Sequence, residues 1–179
     1  SSHMAIWAYE IENLFLNNCS FINNGNGIRI RYGTNIYINS TVIEESNEYG
    51  IQTLYSSGVY VNNITISNCK EIGVNEVDIL NNSIIKNCNR GISIKSRSSV
   101  NNSIFINCEK MIYSGGNNIN INNSYFINGN IGLEAWINSS SILNNKFENI
   151  SQGVIHRYEF PGGDGLSYNI KYTSNIFKN

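Results

Sequence analysis

Charge is the first thing this chain lacks: Asp, Glu, Lys and Arg make up 14% of its 179 residues, against roughly 25% in ordinary soluble domains. The formal net charge is −1, so there is no basic stripe of the kind that binds nucleic acid. No apolar run approaches the ~18 residues of a membrane-spanning helix. Proline occurs once, at Pro161, and the four cysteines show neither CxxC nor Cys/His spacing, which leaves no zinc signature. No secretion signal is visible, and Ser1-Ser2-His3-Met4 reads as a cloning scar. Disorder is also disfavoured, because hydrophobic residues reach 41% and are evenly spread.

Asparagine fills the gap, at about a fifth of the chain. It recurs in a phrase: an apolar anchor, any residue, Asn, a small residue, then Gly shortly before another apolar strand. Phe21-Ile22-Asn23-Asn24 leads to Gly27, Ile66-Ser67-Asn68-Cys69 to Gly73, and Ile85-Lys86-Asn87-Cys88 to Gly91. Phe126-Ile127-Asn128-Gly129 leads to Gly132, and Phe147-Glu148-Asn149-Ile150 to Gly153. Phe105-Ile106-Asn107-Cys108 carries Met111 in place of the Gly, and Ile43-Glu44-Glu45-Ser46 carries Glu in place of Asn. The anchors fall at 21, 43, 66, 85, 105, 126, 147 and 177, so the period is 19 to 23 residues with one final step of 30.

Internal repeats of this length decide architecture before any local propensity does. Within each repeat apolar residues alternate, as in Ile119-x-Ile121 and Ile92-x-Ile94, which is the period of a strand. Helix signals are absent. Short strands stacking on their own copies make parallel sheets, and parallel crossovers are right-handed. The expected fold is therefore all-β: a single-stranded right-handed parallel β-helix of seven to eight coils with an Asn ladder, over residues 5–179. The abrupt ends suggest a segment of a longer chain. Asn suits a left-handed bend, and its amide can bond the same amide one coil on. Gly is expected to meet the same backbone need at a second bend. Cys69, Cys88 and Cys108 fall at one repeat position and are expected as buried free thiols, acting as small hydrophobes.

The phrase resembles the parallel β-helix repeat of the pectate-lyase-like superfamily, which includes carbohydrate-binding and sugar-hydrolase domains and NosD-like proteins. The resemblance covers nearly all of residues 5–179. It implies a carbohydrate-associated module, extracellular or surface-associated, whose partner is a polysaccharide or glycan surface. Nucleic acid and membrane insertion are not expected, and the oligomeric state is not fixed. No cofactor is expected; Ca2+ is compatible with the resemblance, but no ligand pattern supports it.

Aligning the strands gives one outward column of Trp7, Arg29, Gln52, Asn75, Ser93, Tyr113, Glu134 and Ile155. Its neighbour reads Tyr9, Arg31, Leu54, Val77, Lys95, Ser114, Trp136 and Arg157. Arg29, Arg31, Tyr113 and Trp136 are the expected binding residues, since amphipathic rings beside polar groups suit a sugar chain. The long final step places an insertion at 156–165 with His156, Arg157, Glu159 and Asp164. Lysis or hydrolysis needs a base or paired carboxylates with a stabilising cation. Glu134, His156, Arg157 and Asp164 are accordingly the candidate catalytic set, for a lyase or glycoside hydrolase. The motifs of the lyases and the paired Asp of polygalacturonases are missing. The alternatives are that the insertion covers the end of the coil, and that the whole chain is a structural solenoid of an adhesin, surface protein or viral spike.

Overall fold

Each repeat closes into one coil of three short strands, and all the strand pairs are parallel between successive coils. A computed structural model describes residues 3–135, 139–156 and 170–178; of His156 only the backbone is described. About seven turns stack into three faces. The first face begins with Met4–Tyr9, Asn26–Arg31 and Tyr49–Leu54. The second begins with Phe15–Asn17, Thr34–Asn39 and Ser57–Asn62. The third begins with Ser20–Ile22, Val42–Glu44 and Thr65–Ser67. Strands Tyr125–Ala135 and Lys146–His156 run unbroken from the third face into the first, joining those faces into one 14-stranded sheet beside an 8-stranded one.

The interior follows from alternation. Ile28, Ile51, Val74, Ile92 and Ile112 are each fully buried and lie in register along the first face. Every such side chain contributes about 1.5–3 kcal/mol on leaving water. The anchor column fills the third face from inside, changing from Ile43, Ile66 and Ile85 to a stack of Phe105, Phe126, Phe147 and Phe177 with ring centroids 4.7–5.2 Å apart.

Asparagine bends the chain as expected. Asn23, Asn68, Asn87, Asn107, Asn128 and Asn149 all have φ between 53° and 59°. Their amides form ladder bonds: Asn87 donates to Asn68 at 3.0 Å, Asn107 to Asn87 at 3.1 Å and Asn149 to Asn128 at 3.0 Å. A second amide ladder, not anticipated, ends the second face, with Asn39 donating to Asn17, Asn62 to Asn39, Asn101 to Asn81 and Asn122 to Asn101 at 2.9–3.2 Å. A third lies inside, where Ser83, Ser103 and Ser124 and then Asn145 and Asn175 accept backbone N–H groups from the coil before.

The repeated glycines have a different cause from the one expected. Among the described glycines only Gly58 has positive φ. At Gly27, Gly50, Gly73, Gly91 and Gly132 a Cβ would lie 2.4–2.7 Å from a backbone carbonyl of the next coil and 2.7–2.8 Å from an anchor side chain. Close approach, not backbone freedom, selects glycine here. Met111 breaks the rule because its neighbour yields: a Cβ at Gly129 would sit 2.4 Å from the Met111 Cε, so the missing side chain at 129 makes room for the buried methionine.

Candidate functional site

The first outward column is seen in full. Trp7, Arg29, Gln52, Asn75, Ser93, Tyr113, Glu134 and Ile155 are register partners from coil to coil. The second column holds only in part. Tyr9, Arg31 and Leu54 are partners, whereas Val77 and Ser114 are fully buried. Ser114 pairs with Ile94 and Ala135, in the inward row. The pattern slips at Ser114 because it lies one residue, not two, beyond Tyr113, and at Val77 because a left-handed bend at Glu76, with φ 61°, follows the strand end at Asn75.

The expected catalytic set is only partly within view. Glu134 is 2% exposed and ion-paired with the Lys110 ammonium at 2.7 Å. Tyr113 is its register partner, and the Arg90 guanidinium lies 4.4 Å from the centre of the Tyr113 ring. His156 belongs by its backbone to a strand, opposite Ala135, rather than to the insertion. Arg157, Glu159, Asp164 and the binding candidate Trp136 lie outside the described residues.

The N-terminal coils gather a different set. Trp7 is 66% exposed, Tyr9 52%, Tyr32 42% and Tyr55 69%. Tyr9 meets Tyr32 edge-on at 5.5 Å, and Tyr32 stacks on Tyr55 at 5.3 Å. The Arg31 guanidinium carbon stands 5.1 Å and 5.6 Å from the Tyr32 and Tyr55 ring centres. Arg29 follows Trp7 in the same column, so both expected arginines belong to this patch. Round the corner on the second face, Phe15, Tyr37 and Tyr60 form another outward stack at 5.0–5.1 Å. Tyr32 and Tyr55 hold φ of 56° and 53°, a left-handed bend that bulky residues seldom occupy.

Sequence reading missed Tyr32, Tyr55, Phe15, Tyr37 and Tyr60. The signal was present for the stacks in register, because Tyr32 and Tyr55 are 23 apart, and Phe15, Tyr37 and Tyr60 are 22 and 23 apart, whereas Tyr9, the partner of Arg31, meets Tyr32 one residue off register. Those are the coil lengths of this part of the chain.

The thiols are as expected. Cys69, Cys88 and Cys108 are buried and free, while Cys19 is half-buried. Hydrogen bonding from Cys88 pulls the Cys69 thiol down against the effect of burial. For Cys88, contact with Cys108 favours the thiolate, but contact with Cys69 and burial outweigh it and push the thiol up to about 12. Contact with Cys88, and then burial, also raise Cys108. Among the described residues no group of three His, Cys, Asp or Glu side chains could hold a metal ion.

Parallel strands in register, amide ladders at the bends and a continuous apolar interior define a parallel β-solenoid. Residues 1–114 match the family model described as a right-handed β-helix region. The chain belongs to the right-handed β-helix family, with which the pectate-lyase-like resemblance is consistent. No curated protein matches it.

Proposed function

We propose that this module binds an extended polysaccharide across the aromatic and arginine surface of its N-terminal three coils. The observation that supports this reading is the exposure of Trp7 and Tyr55. Inside a stack, rings cover one another's faces, so a sugar can lie only on a ring that is left open. Among the described residues Trp7 has no ring partner, and Tyr55 ends its stack while remaining 69% exposed. The two stand two coils apart, roughly 10 Å at the usual strand spacing, with Arg29 and Arg31 between them to donate hydrogen bonds. Exposed aromatic area that is not needed for the core is what a ligand surface supplies. The proposal is of binding alone, since Glu134 is buried and held by Lys110.

A non-enzymatic structural solenoid is the second reading, and it draws on the ladders that run along the chain whatever the surface carries. Affinity electrophoresis against neutral and acidic polysaccharides separates the two. At least one polymer should retard the protein, and Trp7→Ala or Tyr55→Ala should weaken that retardation about tenfold, equivalent to about 1.4 kcal/mol. If no polymer retards it, the carbohydrate reading is lost and the structural one stands.

A further inference from the structure

One rung of the Asn ladder is out of pattern. Seven successive coils place Asn23, Glu45, Asn68, Asn87, Asn107, Asn128 and Asn149 at the same left-handed position between the third and first faces. Asparagine suits that position twice over, tolerating the backbone and continuing the amide ladder. Glu45 does neither, yet holds φ 59°. Among the described residues no side-chain hydrogen bond joins Asn23, Glu45 and Asn68 across the break, although Asn68 accepts from Asn87 on its far side. A residue placed against both backbone preference and ladder needs another reason to be there.

A cavity of about 350 Å³ opens at the break, lined by Asn23, Glu45, Ser46, Asn47, Asn68 and Lys70. That is near the small end of the roughly 300–1,000 Å³ range of ligand pockets. Ser46, 1% exposed, closes the inner side of the cavity, and its hydroxyl meets the Cys69 thiol. Among the described residues no ion pair joins Glu45 to Lys70, so carboxylate and ammonium both line the space without satisfying each other.

We propose that this cavity binds a single sugar residue, a chain end or a branch of the polysaccharide proposed above, on which reading it rests. Every sugar hydroxyl both donates and accepts. The Glu45 carboxylate accepts from a pair of neighbouring hydroxyls, Lys70 donates to hydroxyl or ring oxygens, and the asparagine amides do both. An apolar ligand would leave these groups unpaired, which is costly. The cavity and the aromatic surface lie in the same three coils, separated by the first-face strand Tyr49–Leu54, about 20 Å of extended chain.

The test uses methyl glycosides of glucose, galactose, mannose and N-acetylglucosamine as probes. Binding is followed by saturation-transfer NMR and by the side-chain amide resonances of Asn23, Asn47 and Asn68. At least one glycoside should give saturation transfer and shift those amides. Glu45→Asn should abolish both effects while its melting temperature stays level or rises, because the variant completes the ladder. Absence of saturation transfer from all four glycosides, or its persistence in Glu45→Asn, overturns the cavity. Polysaccharide retardation of the unaltered protein reports on the aromatic surface separately. Retardation without glycoside binding sinks the cavity alone, and glycoside binding without retardation supports the cavity and sinks the aromatic reading.

Discussion

The two ends of this solenoid use the same ring stacking on opposite sides of the wall. In the first three coils the stacks stand outside, as Tyr9–Tyr32–Tyr55 and Phe15–Tyr37–Tyr60, over an interior of isoleucine and valine. From the fifth coil onward the stack is internal, with Phe105, Phe126 and Phe147 at 0–2% exposure, and the first-face surface turns to ionic pairing between Lys110 and Glu134. A parallel coil brings identical positions to about 4.8 Å, so any aromatic repeated in sequence must stack. Which face of the strand it occupies decides whether the stack is buried in the core or presented to a ligand.

The comparison breaks most sharply at Phe126. It is fully buried between Phe105 at 5.2 Å and Phe147 at 4.7 Å. Phe126→Ala should cost about 3–5 kcal/mol, through lost transfer energy and the cavity left behind. Tyr37→Ala interrupts an equivalent outer stack but removes a ring that is 39% exposed. It should cost no more than about 1.5 kcal/mol. Urea unfolding of both variants checks the contrast, and equal losses would show that the outer stacks are structural.

A middle-sized effect is expected at the Lys110–Glu134 pair. Removing one partner of a fully buried pair costs about 3–5 kcal/mol. Lys110 keeps 30% of its side chain exposed while Glu134 keeps 3%, so water offsets part of that loss. Lys110→Met should destabilise by about 1–2 kcal/mol. The double variant Lys110→Met/Glu134→Gln should recover part of the loss, because no carboxylate is then left without its cation. Denaturation midpoints of the two proteins give the answer, and no recovery would mean that Glu134 depends on other partners.

Much of this was readable from the sequence because a solenoid repeats its constraints. Asn at a left-handed bend, Ile alternating inward and Cys at one small-residue position each recur in several coils, so period and role are legible together. Register along the first column followed from the same arithmetic. What escaped has local causes. The glycines answer to a carbonyl in the next coil, a contact that no single repeat displays. Ser114 fell out of the assumed column because it is one residue, not two, beyond Tyr113, and Val77 because a left-handed bend at Glu76 comes before it. Tyr32 and Tyr55 stand at bends, one residue beyond the strands being aligned, and so were outside both columns although their spacing matched the coil.

The smallest expected effect lies on the third-face surface, where Lys146, Tyr125 and Glu148 meet. The Lys146 ammonium stands 2.5 Å from the Glu148 carboxylate and donates to the Tyr125 hydroxyl at 2.7 Å, and that hydroxyl donates to Glu148. The Lys146 hydrogen bond, followed by that of Tyr125, holds the Glu148 carboxyl below the ordinary range, and Glu148 first among its neighbours raises Lys146. A lowered carboxyl contributes stability that is present above its unfolded pKa and lost as pH falls through the folded one. A raised ammonium contributes below its unfolded pKa and loses that contribution as pH climbs through the folded one. The pair therefore acts across neutral pH and fades at both extremes. Solvent screens a surface pair strongly, so a carboxyl-carbon NMR titration is the suitable readout rather than unfolding. Glu148 should titrate below an ordinary glutamate and move up toward the ordinary range in Lys146→Met, with the Tyr125 hydrogen bond keeping part of the shift. An unchanged titration would mean that the ammonium does not hold this carboxylate in solution.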